Sequence, residues 1–415
     1  MDNERITAAG SGAQSSPMTP ELQPTHALPQ DADQAMLIGR LWQPGTGPVL
    51  VLVRPDGVFD LSGLASTCSE LLERPDRIAA IRHHPAPRLG DLEPLLANSD
   101  ATQRQDDQPW LLAPCDLQAL KAAGVTFVAS MLERVIEEQA RGDASKAAAV
   151  RAAVVAIMGD NLSAVKPGSE QAAQLKQALL AQGAWSQYLE VGIGPDAEVF
   201  TKSQPLSAVG TGAEVGLHPR SEWNNPEPEI VLVANSRGEV VGATLGNDVN
   251  LRDFEGRSAL LLGKAKDNNG SCAIGPFIRL FDESFDIDRV RQCTLAMEVR
   301  GPDGFVMQGS SSLAMISRDP LDLAAQAMNS THQYPDGMML FLGTMFAPTQ
   351  DRPIPGRPAG QGFTHVVGDV VRISTPDLGT LVNRVNTSDR IPPWTYGVRA
   401  LMQDLARRPP PASQA

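Results

Sequence analysis

The sequence predicts an α+β protein, and three observations carry that expectation. Short strand-like runs separated by Gly, Pro, Asn and Asp fill the chain from about Tyr188 onward; residues 116–183 carry helical periodicity; and a smaller β-rich unit precedes them. The late runs are 229–234, 240–244, 294–299, 338–342, 370–373 and 381–385, a rhythm that predicts a β-rich barrel or sandwich-like domain.

Taken in order, residues 1–34 are rich in Ser, Pro, Gln, Asp and Gly without apolar periodicity and predict a disordered tail, as do 405–415 with Pro409-Pro410-Pro411. The N-terminal β-rich domain is expected over 35–115, with strands at 37–42, 49–53 and 58–61 and a helix at about 67–73. The larger unit, 116–404, opens with Asp116 as the expected N-cap of a short helix carrying Leu117, Leu120 and Ala123. Further helices are expected at about 128–141, 144–158 and 170–182, the last two within a helical segment at 140–185.

Charged residues make up 20% of the 415 and the formal net charge is −13, so the basic footprint that nucleic acid or an anionic membrane requires is missing. No apolar run reaches the length of a membrane span, and the first residues lack the basic-then-apolar order of a secretory signal. Cys68, Cys115, Cys272 and Cys293 are scattered, which predicts reduced core thiols and a cytoplasmic location.

The richest chemistry lies in Asn224-Asn225-Pro226-Glu227-Pro228-Glu229 and the apolar run after it. Two carboxylates two positions apart on a strand face the same way. Asn235-Ser236-Arg237-Gly238 then supplies a turn; a hairpin centred there sets Glu229 opposite about residue 245 and Glu227 opposite about 247, which brings Asp248 beside the pair. Three clustered carboxylates repel one another unless a cation joins them, and an all-oxygen set suits Mg²⁺ or Mn²⁺. The other reading is a pair of surface glutamates at a strand start. Lys264, after the apolar run 260–262, is either a surface lysine or a cation beside the metal.

The ordered series Glu227-Pro228-Glu229, Gly246-Asn247-Asp248 with Arg252-Asp253, Gly263-Lys264-Ala265-Lys266-Asp267, Gly275-Pro276, Gly343-Thr344 and Gly368-Asp369 resembles the fumarylacetoacetate hydrolase superfamily over about 200–383. The resemblance implies a C-terminal mixed β-sandwich roll of that type with a smaller N-terminal α/β domain. It implies Mg²⁺ held by Glu227, Glu229 and Asp248, a 2-oxo acid substrate, and a homo-oligomer, dimer or tetramer. Lys264 would lie beside the substrate, and Thr344 with Gly343 would help hold its carboxylate. Lys202 takes either a substrate-side or an ion-pair role, and His218 either faces the substrate or sits in its loop with ordinary hydrogen bonds.

Hydrolases of the family carry a His and a Glu that activate water. Here the matching stretch holds Phe127, Ser130 and Glu133, and serine does not replace imidazole as a neutral-pH base. Residues 124–276 are similar instead to the sugar-acid dehydratase branch of the superfamily. That likeness implies removal of water from a 2-keto-3-deoxy-pentonate of the D-xylonate or D-arabinonate type through a metal-stabilised enolate, giving 2-oxoglutarate semialdehyde in pentose catabolism. Glu133 would shuttle the proton, with Ser130 orienting it. The alternatives are an acylpyruvate-type hydrolase and a retro-aldol lyase acting on a 2-oxo acid.

Overall fold

Buried strand runs and tight turns build the N-terminal unit. The computed structural model describes residues 22–149, 151–152, 165–181, 185–346 and 348–408. Strands β1 (Leu37–Gln43), β2 (Gly47–Arg54) and β3 (Gly57–Asp60) form an antiparallel meander close to the expected positions. Gly57 turns β2 into β3 with φ +146°, a value that L side chains rarely adopt. Strand β4 (Arg88–Gly90) pairs with β3, and β5 (Trp110–Leu112) pairs with β1.

The chain then lays down β6 (Ala119–Gly124), β7 (Glu198–Ser203), β8 (Glu214–Leu217), β9 (Asn224–Asn225), β10 (Pro228–Ala234), β11 (Val240–Asp248), β12 (Asn250–Leu251) and β13 (Cys272–Leu280). It ends with β14 (Thr294–Arg300), β15 (Val306–Ser312), β16 (Met338–Phe341), β17 (Val370–Thr375) and β18 (Gly379–Thr387). An 11-stranded sheet runs β4-β3-β2-β1-β13-β11-β10-β16-β6-β7, with β5 beside β1. A five-stranded sheet runs β15-β14-β17-β18-β8, and β12 pairs with β9. Because Leu37 and Ile38 of β1 hydrogen-bond opposite Arg279 and Ile278 of β13, one sheet crosses the division expected at 115/116.

Strand β10 shows why its sequence is a continuous apolar run: both faces are covered. Ile230, Leu232 and Ala234 join the core against Leu295, Met297 and Val299 of the five-stranded sheet. Val231 and Val233 point the other way, into a core with Leu71 and Leu72 of the helix Cys68–Glu73. A strand packed on both sides is rigid, which suits it to carry a site at its end.

Two expectations fail here. Residues 119–124 are strand, not helix: Leu120 and Ala122 are buried in one core while Lys121 points outward, and this period of two places the segment between β16 and β7. Asp116 caps a helix remote in sequence, accepting from the backbone N–H of Cys68 at 2.6 Å and of Ser69 at 3.0 Å, with Arg40 at 3.5 Å. The expected N-terminal tail is also shorter. Residues 24–27 are helical, and Asp31 makes a two-pronged pair with buried Arg279, both bonds at 2.7 Å. The helices Val128–Ala140 and Glu170–Ala181 are present; the expected 144–158 helix lies partly outside the described residues, as do 1–21 and 409–415. All four cysteines are free and buried, and among the described residues no helix is long and apolar enough to cross a membrane.

Asp116→Ala leaves two buried N–H groups without their acceptor and Arg40 without its carboxylate partner, and is expected to cost about 3 kcal/mol, read from urea unfolding; an unchanged midpoint contradicts the remote cap.

Candidate active site

Strands β10 and β11 form the hairpin that carries the site. A bulge between Val233 and Ala234 puts one extra residue into β11, so Glu229 pairs with Gly246 and Pro228 with Asn247. This register is one residue beyond that expected from the turn alone. It sets Asp248 directly opposite Glu227, and the Asp248 N–H donates to the Glu227 carbonyl at 3.0 Å. Glu227, Glu229 and Asp248 are buried at 3, 2 and 2% exposure, and one oxygen of each lies within 4.8 Å of the others.

Each carboxylate is held by a different element. The Gly343 N–H donates to Glu229 Oε2 at 2.6 Å. Gly343 has φ +96°, and a Cβ there would meet the Thr126 hydroxyl at 2.1 Å, so only glycine presents that N–H. Asp248 Oδ1 accepts from Lys202 at 2.5 Å and from Lys266 at 3.0 Å; Lys266 also reaches Glu227 Oε2 at 2.8 Å and Glu255 at 3.2 Å. The second Glu227 oxygen pairs with Arg134, which also pairs with Glu137 and Glu255.

The site lysine is therefore Lys266, and Lys264 is exposed. The two sit in the short helix Leu262–Lys266, where residues two apart point about 200° from one another. The apolar run 260–262 does not mark a buried strand; Leu260 is 95% exposed. Lys202 is fully buried and braces Asp248, which fits the ion-pair alternative. His218 lies outside the cleft, packed on Phe254 at 4.9 Å and accepting from the Arg220 N–H. Glu133 does not line the cleft either; it is paired with Arg151 through both oxygens and lies 3.9 Å from Arg252. Ser130 and Thr344 do line it, with the Ser130 hydroxyl donating to the Phe127 carbonyl at 2.8 Å and that of Thr344 to the Phe346 carbonyl at 3.0 Å.

Glu198, Arg134 and Glu255 line the same cleft and carry no motif that marks them in the sequence. Glu198 starts β7 opposite Gly124, where a Cβ would collide with its carboxylate at 2.0 Å. Burial, then the charge of Glu255, push its carboxyl up to about 7, against the pull of Arg134 and Lys266. Burial and the charges of Asp248 and Glu227 raise Glu229 well above the carboxylate range. Burial works against the charge on Lys266, yet Asp248, Glu227 and Glu255 hold it firmly protonated. Asp248 is lowered despite its burial because Lys202 and Lys266 face it.

Five carboxylates, Glu198, Glu227, Glu229, Asp248 and Glu255, meet three cations here, Arg134 and Lys266 in the wall and Lys202 behind Asp248. That surplus of carboxylates over cations among the described residues fits one divalent cation. An all-oxygen donor set at the excess fits a hard ion of the Mg²⁺ class.

Residues 181–386 match the profile described as Fumarylacetoacetate (FAA) hydrolase C-terminal. The chain is 29% identical over 194 residues to 2-dehydro-3-deoxy-D-arabinonate dehydratase of Saccharolobus solfataricus, covering 47% of this chain and 60% of the relative. It is 30% identical over 200 residues to the probable 2-keto-3-deoxyxylonate dehydratase of Haloferax volcanii, covering 48% and 64%. The alignments thus span less than two thirds of either curated relative. A solved structure, 2-keto-3-deoxy-D-arabinonate dehydratase complexed with magnesium and 2,5-dioxopentanoate, superposes with TM-score 0.58 at 21% identity over 85% of this chain and 99% of that one. The matched region, residues 181–386, belongs to the fumarylacetoacetate hydrolase family.

Lys266→Met strips the cation from Glu227 and Asp248 and is expected to destabilise the metal-free protein by about 3–5 kcal/mol, whereas Lys264→Met stays within about 0.5 kcal/mol; equal effects in urea unfolding contradict the assignment. The raised carboxyl of Glu198 contributes stability in full below its unfolded value near 4.5 and loses it as pH rises through about 7. Melting temperatures of Glu198→Gln and wild type should therefore converge at pH 4.5 and separate by a few degrees at pH 8, the variant melting higher; a constant difference contradicts the shift.

Proposed function

We propose that this chain is a Mg²⁺-dependent hydro-lyase that removes water from a 2-keto-3-deoxy-pentonate to give 2,5-dioxopentanoate (2-oxoglutarate semialdehyde). The observation that carries the reading is Glu198, a carboxyl poised near neutrality in the same cleft as the carboxylate triad. The names of the two curated relatives, and the magnesium and 2,5-dioxopentanoate of the solved structure, support the substrate class.

A divalent cation on Glu227, Glu229 and Asp248 would supply Lewis-acid polarisation of a 2-oxo group and so acidify the adjacent C3 hydrogens. The residues of the chain do the rest. Ionised Glu198 takes a C3 proton; protonated, it returns that proton to the hydroxyl leaving C4, so water departs and a C3–C4 double bond remains. One carboxyl serves both steps because the two carbons are adjacent. Transfer of a proton from C5 to C3 then converts the allylic alcohol into the C4–C5 enol, and passage of the enol hydroxyl proton to C4 leaves the aldehyde. Lys266 keeps a fixed positive charge beside the triad, where negative charge grows as C3 loses its proton. The apolar wall of Ala123, Val125, Phe200 and Leu262 limits the water that competes for those charges. Glu133 does not serve as the base, since both of its oxygens are engaged by Arg151 outside the cleft. Four buried thiols fit a cytoplasmic setting for such an enzyme.

Incubation with Mg²⁺ and 2-keto-3-deoxy-D-xylonate or its D-arabinonate counterpart should yield 2,5-dioxopentanoate by NMR, and chelation should stop it. Pyruvate with glycolaldehyde would mean aldol cleavage, and no consumption of either epimer rejects the reading. Glu198→Gln should lower kcat by about 10²–10⁴, with a far smaller loss in Glu133→Gln. In wild type kcat/KM should fall on the acid side as Glu198 protonates, at or below pH 7, and the limb should vanish in Glu198→Gln.

A further inference from the structure

Among the described side chains, the helix Val128–Ala140 reaches the carboxylate triad through that of Arg134. Arg134 donates through Nη1 to Glu137 at 2.8 Å and to Glu255, and through Nη2 to Glu227. The guanidinium has two edges in one plane, and here one edge stays with the helix and its neighbour while the other turns to a triad carboxylate. Glu137 is joined in turn to Arg252 at 3.1 Å, and Arg252 donates to Asn225 at 2.9 Å, just ahead of Glu227 in the chain. The circuit is buried: the side chains of Arg134, Glu227, Glu255 and Glu137 are 11, 4, 6 and 2% exposed.

Three N–H groups of Arg134 go to three protein carboxylates, one of them on Glu227. What it does is fix Glu227. Its bond takes one lone-pair direction of Oε1 and Lys266 takes one on Oε2, which holds the Glu227 carboxylate from both sides beside Glu229 and Asp248. We propose that Arg134 is a positioning residue that couples seating of the 128–140 helix to divalent-cation binding at Glu227, so that each stabilises the other. The inference rests on the reading of the triad as a metal site. Coupling of this kind is reciprocal: the cation tightens the helix by the same factor by which the seated helix tightens the cation.

The test titrates the metal-free full chain with MgCl₂ by calorimetry and follows hydrogen exchange over 128–140 with and without Mg²⁺. In wild type Mg²⁺ should slow exchange in this helix. In Arg134→Met the dissociation constant should rise about tenfold or more, and the Mg²⁺ effect on the helix should disappear. Arg134→Lys keeps the charge without the two-edged fork; it should fold in any case and weaken Mg²⁺ by about threefold, so it carries the test if the Met variant does not fold. Wild-type or tighter Mg²⁺ affinity in the variants overturns the inference, as does faster helix exchange that still responds to Mg²⁺. If wild type binds Mg²⁺ and only the coupling is absent, this inference alone fails; if wild type binds none, the metal reading falls with it.

Discussion

Negative charge gathered where water cannot reach it is the constraint on which the rest of this molecule depends. The bulged β10–β11 hairpin drives Glu227, Glu229 and Asp248 into one buried spot. Glu198 and Glu255 close around them, and the cations that reach them number three. Carboxylates so placed are tolerated when something opposes their repulsion. Part of that opposition is built in, from Lys202 behind Asp248, Lys266 across the triad and Arg134 from the overlying helix. The balance is left for a divalent ion.

The same crowding creates the reactive group. Glu198 lies far enough from the built-in cations that burial and Glu255 dominate, and its carboxyl shifts to about 7. Asp248, with two ammonium groups against it, shifts the other way. One cleft thus holds a carboxylate lowered by two ammonium groups and a carboxyl raised to about 7. The difference comes from which cation each can touch, not from residue type.

Much of this was legible in the sequence, and the failures have physical causes. The strands of both sheets follow from apolar runs and turn residues, because β10 and its neighbours are covered on both faces. Glu227 and Glu229 were readable because a spacing of two on a strand fixes a common face, and Asp248 because a hairpin returns to its start. The bulge that aligns Asp248 with Glu227 was not readable, since nothing in Val233 or Ala234 distinguishes a bulged pair from a regular one. The resemblance carried by Gly263-Lys264-Ala265-Lys266-Asp267 points to Lys264, whereas the phase of one helical turn decides which lysine faces inward. Glu198 and Arg134 escaped for a different reason: each acquires its role from a partner far away in the chain, Glu255 at 57 positions and Glu227 at 93. Asp116 misled in the same manner, as a cap whose helix lies 48 residues upstream.

Anomalous diffraction from crystals soaked in Mn²⁺ tests the central claim most directly, since it locates the ion without reference to turnover. The account predicts one strong peak per chain, within bonding distance of oxygens from Glu227, Glu229 and Asp248, with the Lys266 ammonium displaced from one of its present carboxylate contacts. A fully occupied peak elsewhere, or a soaked site still bridged by Lys266 with no metal density, would contradict it.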